Sequence, residues 1–259
     1  MSVELILMFV LGASVGSFLN VIIYRYHTGF DVGGRSICLY CGKELRWYEL
    51  VPILSFLYLR GRCGTCRSRL SIQYPLVELA TAASFVFAYI SARTLFEGGE
   101  LFSYLTLIFL SVCTLIVIAA YDIRHTIVPD AMAFLLGFLG LLRIVMFPLA
   151  GEAPYEALFA GPLLAFPFAL LFFFSKGRLM GFGDAKLALG LGWLLGLSSG
   201  IAALFIAFWA GGLVAAVLLF AERGRVTMKS EIPFAPFLAF GALLSLFFAK
   251  ELLLPFIFI

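Results

Sequence analysis

The sequence has little charge for its length. Of its 259 residues, 13% are charged and 63% are hydrophobic, whereas about 25% charged residues is usual in a soluble domain. Too few polar side chains remain to cover a soluble fold of this size, and apolar segments recur along the whole chain. These features exclude a soluble enzyme with a single anchor, and they predict an all-α integral membrane protein.

The apolar segments are long enough to form membrane-spanning helices. Such a helix needs about 20 mostly apolar residues to cross a hydrocarbon core of roughly 30 Å. The sequence predicts about eight spans, at residues 5–24, 74–92, 101–121, 129–149, 158–175, 185–197, 201–221 and 236–255. The sixth is short and contains Gly190, Gly192 and Gly196. These glycines indicate either close helix packing or merely permissive positions.

Basic residues are concentrated in the connections on one side of the predicted membrane. They occupy segment 26–73 and the connections after the third, fifth and seventh spans, the last with Arg223, Arg225 and Lys229. The opposite connections carry Glu97, Glu100, Glu152 and Glu156 against Arg93 and Arg143. The positive-inside rule therefore places segment 26–73 in the cytoplasm and both termini outside it. We expect a first helix (1–25), a cytoplasmic insertion (26–73) and a transmembrane core (74–259).

Cysteine is scarce, but four of the five cysteines lie in the insertion as two C-x2-C pairs, Cys38 with Cys41 and Cys63 with Cys66. Four thiolates at this spacing can close a tetrahedral Zn²⁺ site, which would fold a loop too small for its own core. Cysteines without metal, reduced or disulfide-bonded, are the alternative, although a reducing cytoplasm disfavours disulfides. Four thiolates leave no open coordination position, so the predicted zinc is structural.

Two further features of the insertion agree with a zinc site. Gly42 and Gly64 suit the tight turns of the two cysteine pairs, and the nearby basic residues are expected to hold the thiols as thiolates. The fifth cysteine, Cys113, falls within a span and is most simply a small buried apolar residue.

Aspartate is also rare, with only four residues in the chain: Asp31, Asp122, Asp130 and Asp184. Considered alone, Asp122 is open to interpretation as an interfacial charge beside Arg124. Asp184, which follows Gly181 and Gly183, is equally open to interpretation as a helix N-cap. The predicted topology places Asp122 and Asp184 together, at the cytoplasmic ends of apolar helices and at the same depth. Ionisable groups in that position are functional candidates.

Two neighbouring carboxylates can carry out peptide hydrolysis. They cannot both ionise cheaply, so they share a proton. The ionised group activates water, and the protonated group polarises the scissile carbonyl. The helix N-terminus favours an ionised Asp184 as the base and leaves Asp122 as the acid, although the proton belongs to the pair. Gly181 and Gly183 would let the backbone approach a substrate closely.

Other polar residues have less specific interpretations. Asp130 follows Pro129 at a helix start and is expected to be structural, and His125 is expected to be interfacial. Gly16, Ser17 and Asn20 in the first span fit close helix packing, with a substrate role as the alternative. Glu78 in the second span fits a partner such as a cytoplasmic arginine or a snorkelling arrangement, with a catalytic or methyl-transfer role as the alternative.

Several segments together resemble the type IV prepilin peptidase family, whose members are bifunctional leader peptidases and N-methyltransferases of type IV pili and type II secretion. These segments occur in the family's order and extend over nearly the whole chain: residues 16–25, the two cysteine pairs with 45–52 and 59–62, and 74–79, 121–130, 181–187 and 232–237. A GxGD motif alone would be weak evidence, whereas the ordered set is specific. One departure is Ala235, where many members have glycine, and we expect little consequence.

The resemblance implies that Asp122 and Asp184 are the catalytic pair of an aspartic endopeptidase of the inner membrane. It implies cleavage of prepilin and pseudopilin leaders at the cytoplasmic face, followed by N-methylation with S-adenosylmethionine as donor. We expect these precursors and the lipid bilayer as partners, and no nucleic acid. The chain has no glycine-rich loop on a strand–helix unit, so the residues that bind the methyl donor stay unassigned.

Two rival functions are consistent with parts of the pattern. A presenilin-like GxGD protease would have the aspartates but not the cysteine-bearing insertion. A small proton-coupled transporter would place its acids at the midplane and show two similar halves. The cysteine pairs argue against the first, and the position of the aspartates argues against the second.

Overall fold

The chain folds almost entirely into helices. The computed structural model describes residues 2–26, 28, 33–149, 152–178, 180–221 and 233–257, and within these ranges it contains no β-strand, only two isolated β-bridges. Arg223, Arg225 and Lys229, used above to orient the chain, lie outside the described residues, as does Ile232 of the last matching segment. Two compact units are present, Met1–Leu105 and Thr106–Ile259.

The first unit is built around a pair of packed helices, α1 (Ser2–Arg25) and α3 (Gln73–Ala92). Between them lie a 3₁₀ turn (Trp47–Glu49) and the short helix α2 (Leu54–Tyr58). Glycine lets the two long helices touch: a Cβ on Gly12 would lie 2.7 Å from the Cα atom of Ala82. A Cβ on Gly16 would lie 2.8 Å from the Cα atom of Glu78. The packing interpretation of Gly16 is therefore confirmed.

The second unit is organised around one buried helix. The division between the units falls within α4 (Gly98–His125), which is followed by α5 (Asp130–Met146), α6 (Pro154–Ser175), α7 (Phe182–Leu195), α8 (Leu197–Ala221) and α9 (Ala235–Ile257). Helix α7 contacts α5, α6, α8 and α9. Its Leu187, Ala188 and Leu191 are completely buried. A helix that is apolar on all sides is expected at such a central position.

Small residues allow this central packing. A Cβ on Gly190 would lie 3.1 Å from the backbone nitrogen of Gly137, and one on Gly192 would lie 2.6 Å from the carbonyl oxygen of Ala160. Close helix packing is thus the correct interpretation of both glycines. Gly196 differs, because it follows the last residue of α7 with a φ of 77°, a backbone conformation that favours glycine.

Each of the eight predicted spans coincides with a helix, but not all of these helices are long enough to cross a bilayer. Five have the required length and apolarity: Val3–Arg25, Gln73–Ala92, Gly98–His125, Pro154–Ser175 and Leu197–Ala221. Helix α5 has 17 residues and α7 has 14, and Ala235–Phe248 in α9 is a shorter apolar segment. A 14-residue helix is only about 21 Å long. Within the described residues, length and composition therefore support five spans, and the expected count of eight is not confirmed.

Candidate active site and metal centre

Asp122 lies near the end of α4 and is buried, with 5% of its surface exposed. Its Oδ2 accepts a hydrogen bond of 3.1 Å from the backbone N–H of Ala235, the first residue of α9. Arg124, two residues later, is exposed. The interpretation of Asp122 as an interfacial charge beside Arg124 is therefore wrong.

Asp184 lies in the first turn of α7 and is 8% exposed. The N-cap of that helix is Gly181, whose backbone is extended and whose carbonyl accepts the N–H of Asp184 at 3.3 Å. The N-cap interpretation of Asp184 is thus incorrect, because Asp184 is the third residue of the helix and Gly181 is its N-cap. A carboxylate in a first helical turn still interacts favourably with the helix dipole.

The fold brings Asp122 and Asp184 close enough for the charge of Asp122 to act on Asp184. Both belong to the second unit, and they come from α4 and α7, 62 positions apart in the sequence. Two buried carboxylates that interact in this way favour a state in which one proton is shared between them. Such a pair can act as general acid and general base together.

The two glycines before Asp184 have different surroundings. A Cβ on Gly183 would lie 2.8 Å from the Cβ of Val128, so the space beside Gly183 is filled by packing. A Cβ on Gly181 would meet nothing closer than the nitrogen of Gly183, at 3.9 Å. Gly183 is therefore required where α7 contacts the start of α5, and Gly181 alone leaves open space beside the backbone.

Neighbouring polar residues have structural contacts. Nζ of Lys186 lies 2.7 Å from Oδ1 of Asp130, in an ion pair that joins the N-terminal parts of α7 and α5. The ring of His125 packs against that of Tyr121 with centroids 4.3 Å apart. The structural interpretation of Asp130 is confirmed.

The four cysteines of the insertion form one cluster. Their Sγ atoms all lie within 4.8 Å of one another, and none is in a disulfide. Cys38 and Cys63 are buried, whereas Cys41 and Cys66 are exposed. Tetrahedral coordination with Zn–S bonds of about 2.3 Å separates the sulfurs by roughly 3.8 Å, and Sγ of Cys38 lies 3.9 Å from Sγ of Cys66. The donor set and its spacing fit a tetrahedral thiolate-bound metal.

The two cysteine pairs have the same backbone pattern. The N–H of Cys38 donates to Lys43 and its carbonyl accepts from Gly42, each at 2.9 Å. The N–H of Cys63 donates to Ser68 at 2.9 Å, and its carbonyl accepts from Arg67 at 3.0 Å. An isolated β-bridge closes each turn. The insertion thus contains two copies of one small turn.

The glycines of these turns do not have equivalent roles. Gly42 has a φ of 68°, and the matching position of the second turn is Arg67, with a φ of 57°. Gly64 does not occupy that position; it gives room instead, because a Cβ there would lie 2.5 Å from Oε1 of Glu49. The expectation that Gly64 provides a tight-turn conformation is therefore wrong.

Backbone N–H groups, rather than basic side chains, favour thiolate at Cys38. Burial acts to raise the pKa of Cys38, but hydrogen bonds from the N–H groups of Cys41 and Tyr40 outweigh it and lower the pKa to about 6. The hydroxyl of Ser68 lowers the pKa of Cys66. The N–H of Lys43 also acts to lower the pKa of Cys41, yet burial and the neighbouring sulfurs raise it to about 11. A bound cation would relieve this competition among the sulfurs.

A second set of polar residues lies in the first unit, between α1 and α3. Glu78 is 7% exposed, and its Oε2 accepts the backbone N–H of Ile53 at 2.7 Å. The hydroxyl of Ser17 lies near the same carboxylate. The expected arginine partner is not present among the described residues, so the ion-pair interpretation of Glu78 is wrong. The contact with Ile53 could not be foreseen, because a main-chain donor has no signature in the sequence.

Comparisons with known proteins agree with this architecture. The model of the Bacterial Peptidase A24 N-terminal domain matches residues 10–92, and that of the Type IV leader peptidase family matches residues 108–216. The first match contains all four clustered cysteines, and the second contains both buried aspartates. No solved structure matches the chain.

Several curated relatives carry the name prepilin leader peptidase/N-methyltransferase. The protein of Bacillus subtilis (strain 168) is 31% identical over 95% of this chain and 95% of its own. That of Burkholderia pseudomallei (strain 1026b) is 33% identical over 92% of this chain and 84% of its own. That of Klebsiella pneumoniae is 35% identical over 73% of this chain and 84% of its own. With this coverage, the chain belongs to the type IV leader peptidase family and is an enzyme of that family.

Proposed function

We propose that this enzyme cleaves the leader peptides of type IV prepilins and pseudopilins and then N-methylates the new N-terminal residue. One observation carries the peptidase half of the proposal: Asp122 and Asp184 are buried carboxylates from two helices, and the charge of Asp122 acts on Asp184. The methyltransferase half rests on relatives named for both activities, which align with nearly the whole chain.

In the proposed peptidase reaction, the aspartate pair holds one proton. Asp184, in the first turn of α7, acts as the base that activates water. Asp122 acts as the acid that polarises the scissile carbonyl and then protonates the leaving amine. The proton belongs to the pair. Both carboxylates lie at a helix N-terminus: Asp184 is in the first turn of α7, and Asp122 accepts the N–H of the first residue of α9. Gly181, with open space beside it, is the proposed point of substrate contact.

The proposed topology places this pair at the cytoplasmic face of the inner membrane. Eight spans are proposed, with α5, α7 and α9 added to the five long helices and both termini outside the cytoplasm. Residues 26–73 form the cytoplasmic insertion between the first helix (1–25) and the transmembrane core (74–259). The basic content of segment 26–73 supports this orientation. The partners are then prepilin precursors and the surrounding lipid.

Zinc is the metal proposed for the cysteine cluster. Cys38, Cys41, Cys63 and Cys66 would hold it with four thiolates, the donor set of structural zinc sites. Such a site folds a small insertion and leaves no coordination position for substrate. S-adenosylmethionine is the proposed methyl donor, and when bound it supplies an electrophilic methyl group to the amine.

A two-part assay tests the proposal. The purified full-length protein is incubated with a prepilin and a labelled methyl donor, and leader removal and label transfer are measured separately. We expect cleavage without added donor, and label transfer only to the cleaved product. Uncleaved precursor after incubation with folded protein would overturn the peptidase proposal. Cleavage without label transfer in the presence of donor would overturn the methyltransferase proposal.

A further inference from the structure

Glu78 is a buried carboxylate without a neutralising cation in the described part of the chain. Its hydrogen-bond partner, the N–H of Ile53, and the nearby hydroxyl of Ser17 are both neutral. It lies in the second turn of α3, a helix long and apolar enough to span a membrane. Because an uncompensated charge is costly away from water, the surroundings of Glu78 are complementary to a positive group.

Asn20 provides an unpaired acceptor on the facing helix. Its side chain is 1% exposed, and Nδ2 donates to the carbonyls of Gly16 at 3.3 Å and Tyr74 at 3.1 Å. Its Oδ1 has no hydrogen-bond partner among the described residues. Buried side-chain acceptors are nearly always paired, so this oxygen can accept a hydrogen bond from a ligand.

Asn20 and Glu78 belong to the same contact between α1 and α3. Gly16, one turn before Asn20, packs against the Cα atom of Glu78, and Tyr74, one turn before Glu78, accepts from Asn20. The two residues are therefore about one helical turn apart, roughly 5 Å along the helices. Nε2 of Gln73, next to Tyr74, is a second buried atom for which the described part of the chain provides no partner, and it is a donor.

We propose that Glu78 and Asn20 bind an α-ammonium group, and that Gln73 donates to the carbonyl or carboxylate oxygen beside it. An ammonium group carries three donors and one positive charge, which suits a carboxylate together with an amide oxygen. Both reactants of the proposed methylation carry such a group: the amino terminus exposed by cleavage, and the amino-acid end of the methyl donor. The inference rests on the proposed methyltransferase function and adds a binding site to it.

Three variants test the site through separate kinetic constants. Glu78→Gln removes the charge but keeps an oxygen for the N–H of Ile53, Asn20→Leu removes the unpaired acceptor, and Gln73→Met removes the donor. Methylation is measured with a peptide that begins at the mature amino terminus, so that cleavage is not required. We expect KM for one reactant to rise about tenfold or more in Glu78→Gln, the loss of one charge-assisted contact. Leader cleavage of a full precursor should stay within about twofold, because the aspartate pair proposed to cleave it belongs to the other compact unit.

The KM that changes identifies the source of the ammonium group. A rise for the peptide alone assigns the site to the substrate, and a rise for the methyl donor alone assigns it to the donor. Thr81→Val is the matched control, since Thr81 is fully buried on the same helix and its hydroxyl is bonded to the carbonyl of Val77. If Glu78→Gln and Asn20→Leu leave both KM values unchanged, or change them no more than Thr81→Val does, the site is rejected.

A measurement on the unaltered enzyme keeps the test independent of variant folding. The free-amine peptide and its N-acetylated form compete with the substrate for methylation, as do S-adenosylhomocysteine and its deaminated analogue. In one of the two pairs, we expect the compound without the ammonium group (the N-acetylated peptide or the deaminated analogue) to compete at least about tenfold more weakly than its partner. Equal competition within both pairs would overturn the site while leaving methylation itself intact. Absence of methylation by the unaltered enzyme would instead refute the proposed function.

Discussion

The carboxylate of Asp122 at the end of α4 is hydrogen-bonded to the backbone N–H of Ala235, where α9 begins, at 3.1 Å. The first N–H groups of a helix have no partner within the helix, so a carboxylate placed there satisfies one of them. The contact uses the main chain of residue 235, and its side chain takes no part. Alanine at a position where many family members have glycine therefore has no chemical consequence for this hydrogen bond.

Removing that single donor should impair cleavage. Ala235→Pro deletes the N–H at the first position of a helix, where proline is otherwise well tolerated. Hydrogen bonds to charged groups contribute about 1.5–3 kcal/mol, so the rate of leader cleavage should fall by about 10-fold to 100-fold. The measurement is the initial rate of cleavage of a prepilin in lipid nanodiscs. Ala235→Gly, which keeps the N–H, should cleave at nearly the original rate, and equal rates for the two variants would contradict the argument.

Replacing either member of the aspartate pair should abolish cleavage. Asp122→Asn and Asp184→Asn retain the shape of the side chain but cannot share a proton, so the rate should fall by at least about 10²-fold. Cleavage is scored by the change in precursor size, and folding by the thermal transition of the purified protein. Asp130→Asn is the control, because Asp130 is an exposed partner of Lys186, and this variant should keep most activity. Normal cleavage by Asp122→Asn or by Asp184→Asn would show that the pair does not catalyse the reaction.

The helices of the fold could be predicted because apolar length is visible in the sequence. Each predicted span coincides with a helix, but by length and composition alone only five of the described helices could cross a bilayer. Apolar runs such as 185–197 give no indication that α7 is surrounded by four other helices, since a buried helix and a membrane-spanning helix have the same composition. At 14 residues, α7 is shorter than the roughly 20 residues usual for a span.

The candidate site was predictable only in part. Asp122 and Asp184 stand out because carboxylates are rare in apolar helices, and the paired spacing of the cysteines indicates their cluster. The partners of these groups were not predictable, because they are main-chain atoms: the N–H of Ala235 for Asp122 and the N–H of Ile53 for Glu78. Every residue except proline offers such a donor, so no residue type marks where one is used.

The cysteine cluster should bind about one zinc ion per chain. Cys38→Ser and Cys63→Ser each remove a buried ligand, so metal analysis of the purified variants should find most of the zinc lost. Cys113→Ser is the control, because Cys113 lies in α4 and outside the cluster, and its zinc content should be unchanged. A folded, freshly purified protein without zinc would reject zinc as the metal of this cluster.

The matching turns around Cys38 and Cys63 provide a test of how the backbone supports metal binding. Gly42 and Arg67 occupy the same position with positive φ, but only Gly42 is a glycine. A side chain in that conformation costs roughly 1–2 kcal/mol, and a Cβ on Gly42 would meet no atom within 4 Å, so Gly42→Ala changes the backbone preference alone. Zinc affinity, measured by competition with a chelator, should fall about 5-fold to 30-fold in Gly42→Ala.

Arg67→Gly should act in the opposite direction, because it relieves the same strain in the second turn. The gain is smaller, since glycine loses about 0.5–1 kcal/mol more conformational freedom on folding than other residues do. Zinc affinity should therefore rise only about 2-fold to 5-fold. Arg67→Ala is the control for the loss of the charged side chain, because it keeps the strain and should leave the affinity near its original value. If Arg67→Ala and Arg67→Gly have the same effect, charge rather than backbone conformation governs the second turn.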